Sequence, residues 1–318
     1  MDIPRTGAVL QADIDFLQVN KRPIVDEFIY EKDTIMIYGP PAVGKTTILL
    51  QLAMHISSAT KAYGALDINK KWKVYYLQLE GEYDETIEQI RLMKEVIPYD
   101  PQYLCIDEYK RIDVLNKNSV IEFIKRVKDS FEPEIFIIDP IYKLASRDIS
   151  TGDSALAIVD FSDILIDNFH CVNLFAHHPH RPPKVDGKIV DEENPYYGHS
   201  FIENHIRTSY QIKSDNTRQN PTLYRKKGRG DDTLPFIKLH YNPVTHTCFM
   251  DDRTSALERV ISYIFFLKKN NKTADFYEIA EHVDLSHSHL RRIKMREEIT
   301  SMVIFDKSSS KKELWIPK

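Results

Sequence analysis

Thr34-Ile35-Met36-Ile37-Tyr38-Gly39-Pro40-Pro41-Ala42-Val43-Gly44-Lys45-Thr46-Thr47 is the stretch on which the fold turns. A short β-prone run stops at Gly39, and Thr46 to Ser57 then carries apolar residues at helical spacing. Between them lies Gly-x4-Gly-Lys-Thr. Its glycines let the backbone wrap an anion, and the N–H groups of the loop and of the helix start point at that anion. The stretch from Gly39 to Thr47 therefore reads as a phosphate cradle, in which Lys45 reaches the β- and γ-phosphates and Thr46 ligates Mg²⁺. A nucleoside triphosphate with Mg²⁺ is the implied ligand.

Working outward, Val74 to Leu79 is a second buried-strand pattern, followed by Glu80, Glu82, Asp84 and Glu85 and a helical stretch from about Asp84 to Val96. Tyr103 to Ile106 is a further short strand. A helix around Ser119 to Phe131 precedes the apolar run Ile135 to Ile138, and another near Ser154 to Phe169 precedes the strand Val172 to Ala176. Strands alternating with helices predict an α/β core with a mainly parallel sheet covered on both faces, since parallel neighbours need crossovers. From about 205 the texture changes to shorter strand-like pieces, Ser209 to Lys213, Thr222 to Arg225 and Phe236 to Tyr241, which predict an antiparallel extension. Residues 179 to 200, rich in Pro, Gly and charge, read as a long exposed loop.

Hydrolysis requires a carboxylate near the Mg²⁺, and Asp139, closing the apolar run 135–138, fits that role. Pro140 follows it, so the base that takes the proton of water lies elsewhere. Glu80 at the end of the strand after the cradle helix is the candidate, with Glu82 as competitor.

The 318 residues carry a net charge of −4, with 42% apolar and 28% charged residues. No apolar stretch approaches the roughly 20 residues of a membrane span. The N-terminus lacks a secretory pattern, so a reducing cytoplasmic setting is expected. Cys105, Cys171 and Cys248 are too scattered for a disulfide framework and read as buried thiols.

After Asp251-Asp252 a new pattern starts. Helices from about Ser255 to Lys269, near Phe276 to Val283 and near Ser286 to Glu297, then strands Val303 to Phe305 and Glu313 to Ile316, suggest a winged helix-turn-helix module. The expected division is thus 1–250, with a short N-terminal extension 1–20, and 251–318. The helix from Ser286 carries Arg291, Arg292, Lys294 and Arg296, and the wing Lys307, Lys311 and Lys312. From Arg291 to Lys312 there are seven basic and three acidic residues, a local surplus suited to duplex DNA. Winged helices also serve as protein contacts, and that reading stays open.

The cradle 39–46, Leu79-Glu80, Ile137-Ile138-Asp139-Pro140, Phe175 to Arg181 and Gly198-His199-Ser200 together resemble the RecA-like ATPases, and among them the RepA-like hexameric helicases of the AAA_25 type. The resemblance spans about residues 20 to 245. It implies ATP as the nucleotide. It also implies a γ-phosphate contact by His178, a cationic finger from Lys227 and Arg229 reaching a neighbouring subunit, and packing of Arg91 on adenine. Loops at about 142–153 and 179–200 would face a ring channel holding single-stranded DNA. Lys143, Arg147, Arg181, Lys184 and Lys188 would contact phosphates there, and Tyr196 and Tyr197 would stack on bases. A rival reading takes His177, His178 and His180 as metal ligands.

The expected function is a homo-oligomeric, hexameric DNA-dependent ATPase, a replicative helicase of a phage, plasmid or mobile element that translocates on single-stranded DNA. The alternatives are a recombination ATPase that coats DNA without unwinding it and an ATP-switched regulatory DNA-binding protein.

Overall fold

The structure is a computed structural model. It describes residues 22–109, 112–179, 184–185, 188–189, 199–214, 220–228, 234–250, 260–261, 263–264, 267–268, 271–283, 287–295, 297–306 and 314–318.

Five parallel strands form the centre: β3 (Thr34–Tyr38), β4 (Val74–Gln78), β5 (Leu104–Asp107), β6 (Ile135–Asp139) and β7 (Val172–His177). On one side β10 (Thr208–Lys213) pairs parallel to β3. Then β11 (Thr222–Lys227), β12 (Phe236–Asn242) and β13 (Thr247–Met250) continue antiparallel. The nine-stranded order is β13-β12-β11-β10-β3-β7-β6-β4-β5. Two small antiparallel pairs lie outside it: β1 (Pro23–Val25) with β2 (Ile29–Tyr30), and β8 (Lys184–Val185) with β9 (Lys188–Ile189).

The central strands read as unbroken apolar runs because both faces are covered. Ile35, Ile37, Val74, Tyr76, Ile135 and Ile137 join one core, with Ile48, Leu49, Leu52 and Ile56 of α1 (Lys45–Ser58). The alternate residues Met36, Tyr38, Tyr75, Leu77, Phe136 and Ile138 join the other. Phe123 of α3 (Lys117–Ser130) and Ile158 and Phe161 of α4 (Gly152–Phe169) cover that face. Between the two runs of helix, α2 (Tyr83–Met93) follows β4.

The α/β core is as expected, and so is an antiparallel extension in β11, β12 and β13; Ser209 to Lys213, read as part of that extension, instead lies in β10, which joins the sheet parallel to β3. Four features go beyond the sequence reading, the first being the β8–β9 pair inside the stretch 179–200 read as a loop. The β1–β2 pair precedes β3, α5 (Ser200–His205) follows the long loop, and β13 adds an edge strand. That last strand is joined to α1 by Gln51, whose amide donates to Cys248 O at 2.6 Å and accepts from Cys248 N at 2.5 Å.

In the C-terminal part, β14 (Ala274–Asp275), β15 (Val303–Asp306) and β16 (Leu314–Pro317) form a three-stranded antiparallel sheet in the order β14-β16-β15. With it are α6 (Phe276–His282), capped by a reciprocal Asp275–Glu278 box, α7 (His287–Lys294) and α8 (Glu297–Met302). The helix expected near Ser286 to Glu297 thus ends at Lys294, with a separate α8 beyond it. Trp315, fully buried, centres a core with Val260, Ile264, Ile279 and Leu290. Among the described residues no helix is long and apolar enough to cross a membrane.

Candidate nucleotide site

Gly39 leaves β3 where a side chain would not fit: an added Cβ would lie 3.0 Å from Ile212 O and 3.0 Å from Val43 Cγ1. Gly44 has a φ of +93°, open to glycine at little cost, and hands the chain into α1. The loop between them borders a cavity of about 580 Å³ at the ends of the parallel strands. Crevices at strand C-termini are where open α/β sheets bind ligands.

Pro41 to Thr47, Gln78, Glu80, Glu82, Gln89, Asp139 and His178 line that cavity. Lys45 is buried and donates to Gly39 O at 2.8 Å and Pro40 O at 3.0 Å; its Nζ is 3.4 Å from His178 Nδ1. Burial pushes its pKa down to about 8, opposed by the charges of Asp139 and Glu80. Phosphate oxygens would replace those carbonyls as acceptors.

The Thr46 hydroxyl donates to Asp139 Oδ2 at 2.7 Å, and Tyr76 OH donates to the same oxygen at 2.7 Å. Burial raises the pKa of Asp139, and the two hydroxyls and Lys45 counter it. A hydroxyl beside a carboxylate on the cavity wall is a hard-oxygen donor set, which fits Mg²⁺.

Leu79 N donates to Asp139 O at 2.8 Å, which draws the ends of β4 and β6 together and brings Glu80 to the site. The turn after β4 uses Gly81 at φ +83° and is held by Gln78, whose amide donates to Glu80 O at 3.1 Å and Glu82 O at 3.5 Å. The Glu80 carboxylate is half exposed; its Oε1 accepts from Tyr142 OH at 2.9 Å and its Oε2 is 3.8 Å from His178 Nε2. Burial and Lys45 lower the pKa of His178, against Glu80 and Asp139, so its imidazole is biased to the neutral form. His177, by contrast, is fully buried at the end of β7, and His180 lies outside the described residues. Among the described residues no group of three His, Cys, Asp or Glu could hold a metal.

Not every sequence-predicted residue converges here. Arg91 is exposed, pairs with Glu88 at 3.2 Å and does not line the cavity, whose lining also includes Pro221, Tyr241 and Cys248. Lys227 donates to Glu203 O in α5 at 2.6 Å. Arg229, Arg181, Tyr196, Tyr197, Arg296, Lys307, Lys311 and Lys312 lie outside the described residues, as do the side chains of Lys184 and Lys188. Lys143 and Arg147 are exposed after β6, Lys143 with its Nζ 5.3 Å from the Tyr142 ring centroid. On α7, Arg291 and Arg292 are exposed and Lys294 lies 4.6 Å over the Phe305 ring.

The sequence reading missed Tyr76, Gln78, Gln89 and Tyr142. Gln89 Nε2 donates to Thr47 Oγ1 at 2.6 Å, tying α2 to the start of α1. Tyr76 carried a usable signal, since it sits two residues before Gln78 on a strand predicted to end at the site. Tyr142 carried none, because only the fold of the turn after Asp139-Pro140 aims it at Glu80.

This sheet order, with the cradle after β3 and acidic residues at the ends of β4 and β6, defines a P-loop ATPase fold of the RecA-like class. The chain belongs to the AAA_25 family, described as an AAA domain, whose profile matches residues 3–183, more than half its length. The ATPase domain of G40P is similar in structure, with a TM-score of 0.53 and 13% identity over 76% of this chain and 95% of that one. A DnaB-like replicative helicase, described with its interactions with primase, gives a TM-score of 0.52 and 12% identity over 75% of this chain and 66% of that one. No curated protein matches the sequence.

Proposed function

We propose that the protein is a DNA-dependent ATPase that assembles as a hexameric ring and couples hydrolysis to movement along single-stranded DNA as a replicative helicase of a phage, plasmid or other mobile element. The observation that carries this reading is the convergence of Lys45, the Thr46–Asp139 pair, Glu80 and His178 on one cavity.

In the reaction, the oxygen of water bonds to the γ-phosphorus while the bond from that phosphorus to the β,γ-bridging oxygen breaks. Glu80 accepts the proton of water, and ADP leaves with the electron pair. Lys45 offsets charge on the phosphates. Thr46 and Asp139 would hold Mg²⁺, which when bound would supply further neutralisation of the phosphate oxygens. His178, against both Lys45 and Glu80, contacts the γ-phosphate and relays its loss to the loop that follows. Lys227 and Arg229 complete the site of a neighbouring subunit.

DNA in the channel would meet Lys143, Arg147, Arg181, Lys184 and Lys188. We read residues 251–318 as a winged-helix domain whose exposed Arg291 and Arg292 approach duplex phosphates. Lys294 and Arg296 would add to that contact.

A forked-duplex unwinding assay, with sizing of the protein in ATP and DNA, tests the reading. Unwinding by an oligomer, abolished in Glu80→Gln, is the expected outcome. DNA-stimulated hydrolysis with strand exchange and no unwinding would transfer the protein to the recombination class. Hydrolysis indifferent to DNA, with sequence-specific duplex binding through 251–318, would make it a regulator.

A further inference from the structure

Tyr142 touches Glu80 and His178 but is not among the residues that line the space that would hold nucleotide. We propose that Tyr142 is a positioning residue for hydrolysis, its phenol holding the Glu80 carboxylate in the orientation from which it takes the proton of water. The inference rests on Glu80 being the base.

Glu80 has a flexible stem and a half-exposed carboxylate, so it has rotamer freedom to lose before it can act. Tyr142 removes that freedom by binding one oxygen. Its hydroxyl donates to Oε1 at 2.9 Å, which leaves Oε2 turned toward His178 at 3.8 Å and toward the cavity that both residues line. The phenol is itself held firmly. It projects from a short 3-10 turn, Ile141–Leu144, in which Ile141 and Leu144 are both fully buried. Leu144 O accepts from Val114 N at 2.9 Å, and Lys143 N donates to Pro140 O at 3.3 Å. The Tyr142 ring also packs against His178, centroids 5.4 Å apart, so one aromatic side chain sets the spacing of the two groups that would face the γ-phosphate. Burial, then the hydrogen bond to Glu80 and its charge, raises the pKa of the phenol. A tyrosine serving only as packing would need neither the hydroxyl nor its aim.

The test uses the full chain as wild type, Tyr142→Phe, Glu80→Gln and the double variant, with melting temperatures to confirm folding. A fluorescent ATP analogue measures binding, and steady-state and single-turnover assays measure hydrolysis. Because Tyr142 is off the cavity wall, Tyr142→Phe should leave nucleotide affinity and KM within about twofold while kcat falls roughly tenfold, the loss of one hydrogen bond to an ionised group. In the Glu80→Gln background the same substitution should change the residual rate no further. Wild-type kcat in Tyr142→Phe, a parallel loss of affinity, or an undiminished additional effect in the Glu80→Gln background overturns the inference. Wild-type turnover by Glu80→Gln would instead remove Glu80 as the base and the inference with it, a result distinguishable from an inactive Glu80→Gln beside an unaffected Tyr142→Phe.

Discussion

Thr46 Oγ1 lies 2.7 Å from Asp139 Oδ2, joining the first turn of α1 to the end of β6 across the cavity wall. A carboxylate so buried is retained as a charge only where its environment supports it, here Thr46, Tyr76 and Lys45. Replacing it by the isosteric amide preserves shape and removes the negative charge that Mg²⁺ would meet. Asp139→Asn should therefore bind ATP without Mg²⁺ about as well as wild type but hydrolyse it roughly 100-fold more slowly with Mg²⁺. Nucleotide titrations with and without Mg²⁺, beside phosphate-release assays, check this. A full rate in Asp139→Asn would remove Asp139 from the metal site.

Gln51 gives a prediction about stability. Its side chain is wholly buried in α1 and makes two hydrogen bonds to the backbone of Cys248 in β13. Truncation leaves a buried N–H and a buried C=O unpaired and opens space in the core. Gln51→Ala should cost roughly 2–4 kcal/mol, read as a lower urea midpoint. A loss under 0.5 kcal/mol, on the order expected for a surface change, would mean the clasp is dispensable.

His55, one turn along α1, makes stability depend on pH. Its Nε2 lies 3.2 Å from Gln51 Nε2, which must donate, and its Nδ1 lies 2.9 Å from Thr60 Oγ1, so the ring is neutral in the fold. Burial pushes its pKa down to about 4, from an ordinary 6.5. Between those values the unfolded chain binds a proton that the native state does not. Stability from this group is therefore complete above pH 6.5, falls by up to about 1.4 kcal/mol per unit as pH drops toward 4, and levels off below. His178 and His205 are shifted in the same direction, so the measurement is a difference: His55→Asn should flatten the slope of urea stability against pH between 6.5 and 4. Identical slopes would show that His55 does not stay neutral in the fold.

The legible part of this protein is what chain-local physics dictates. Gly39 and Gly44 announce a turn that no other residue makes as cheaply, and the apolar runs 34–38, 74–79 and 135–138 announce strands covered on both faces. Asp139 and Glu80 followed, because a carboxylate after such a strand lies at the sheet's ligand-binding end. The rest depends on partners far away in sequence. β13 is a four-residue edge strand held in part by Gln51, 197 positions away, and Tyr142 reaches Glu80 from 62 positions away. Arg91 illustrates the opposite limit: helical spacing carried it onto α2, but its side chain turns outward to Glu88 while Gln89 turns inward to Thr47.

Lys227 yields the last prediction, because its observed partner and its proposed partner differ. The ammonium donates to Glu203 O, a carbonyl in the last turn of α5, within its own chain. To act as a finger it must leave that carbonyl for the γ-phosphate of a neighbour. The two roles separate by experiment. As a cap alone, Lys227→Ala should lower stability by about 1 kcal/mol and leave the hydrolysis rate per folded subunit unchanged. As a finger it should lower kcat by roughly 10³-fold or more with nucleotide affinity largely retained. Mixing makes the distinction sharper. In rings assembled from Lys227→Ala and Glu80→Gln subunits, each inactive alone, neighbouring pairs arise in which Glu80 and Lys227 from different chains meet at one site. Recovery of hydrolysis on mixing is the expected result, and mixtures that form oligomers yet stay inactive would return Lys227 to its role within the chain.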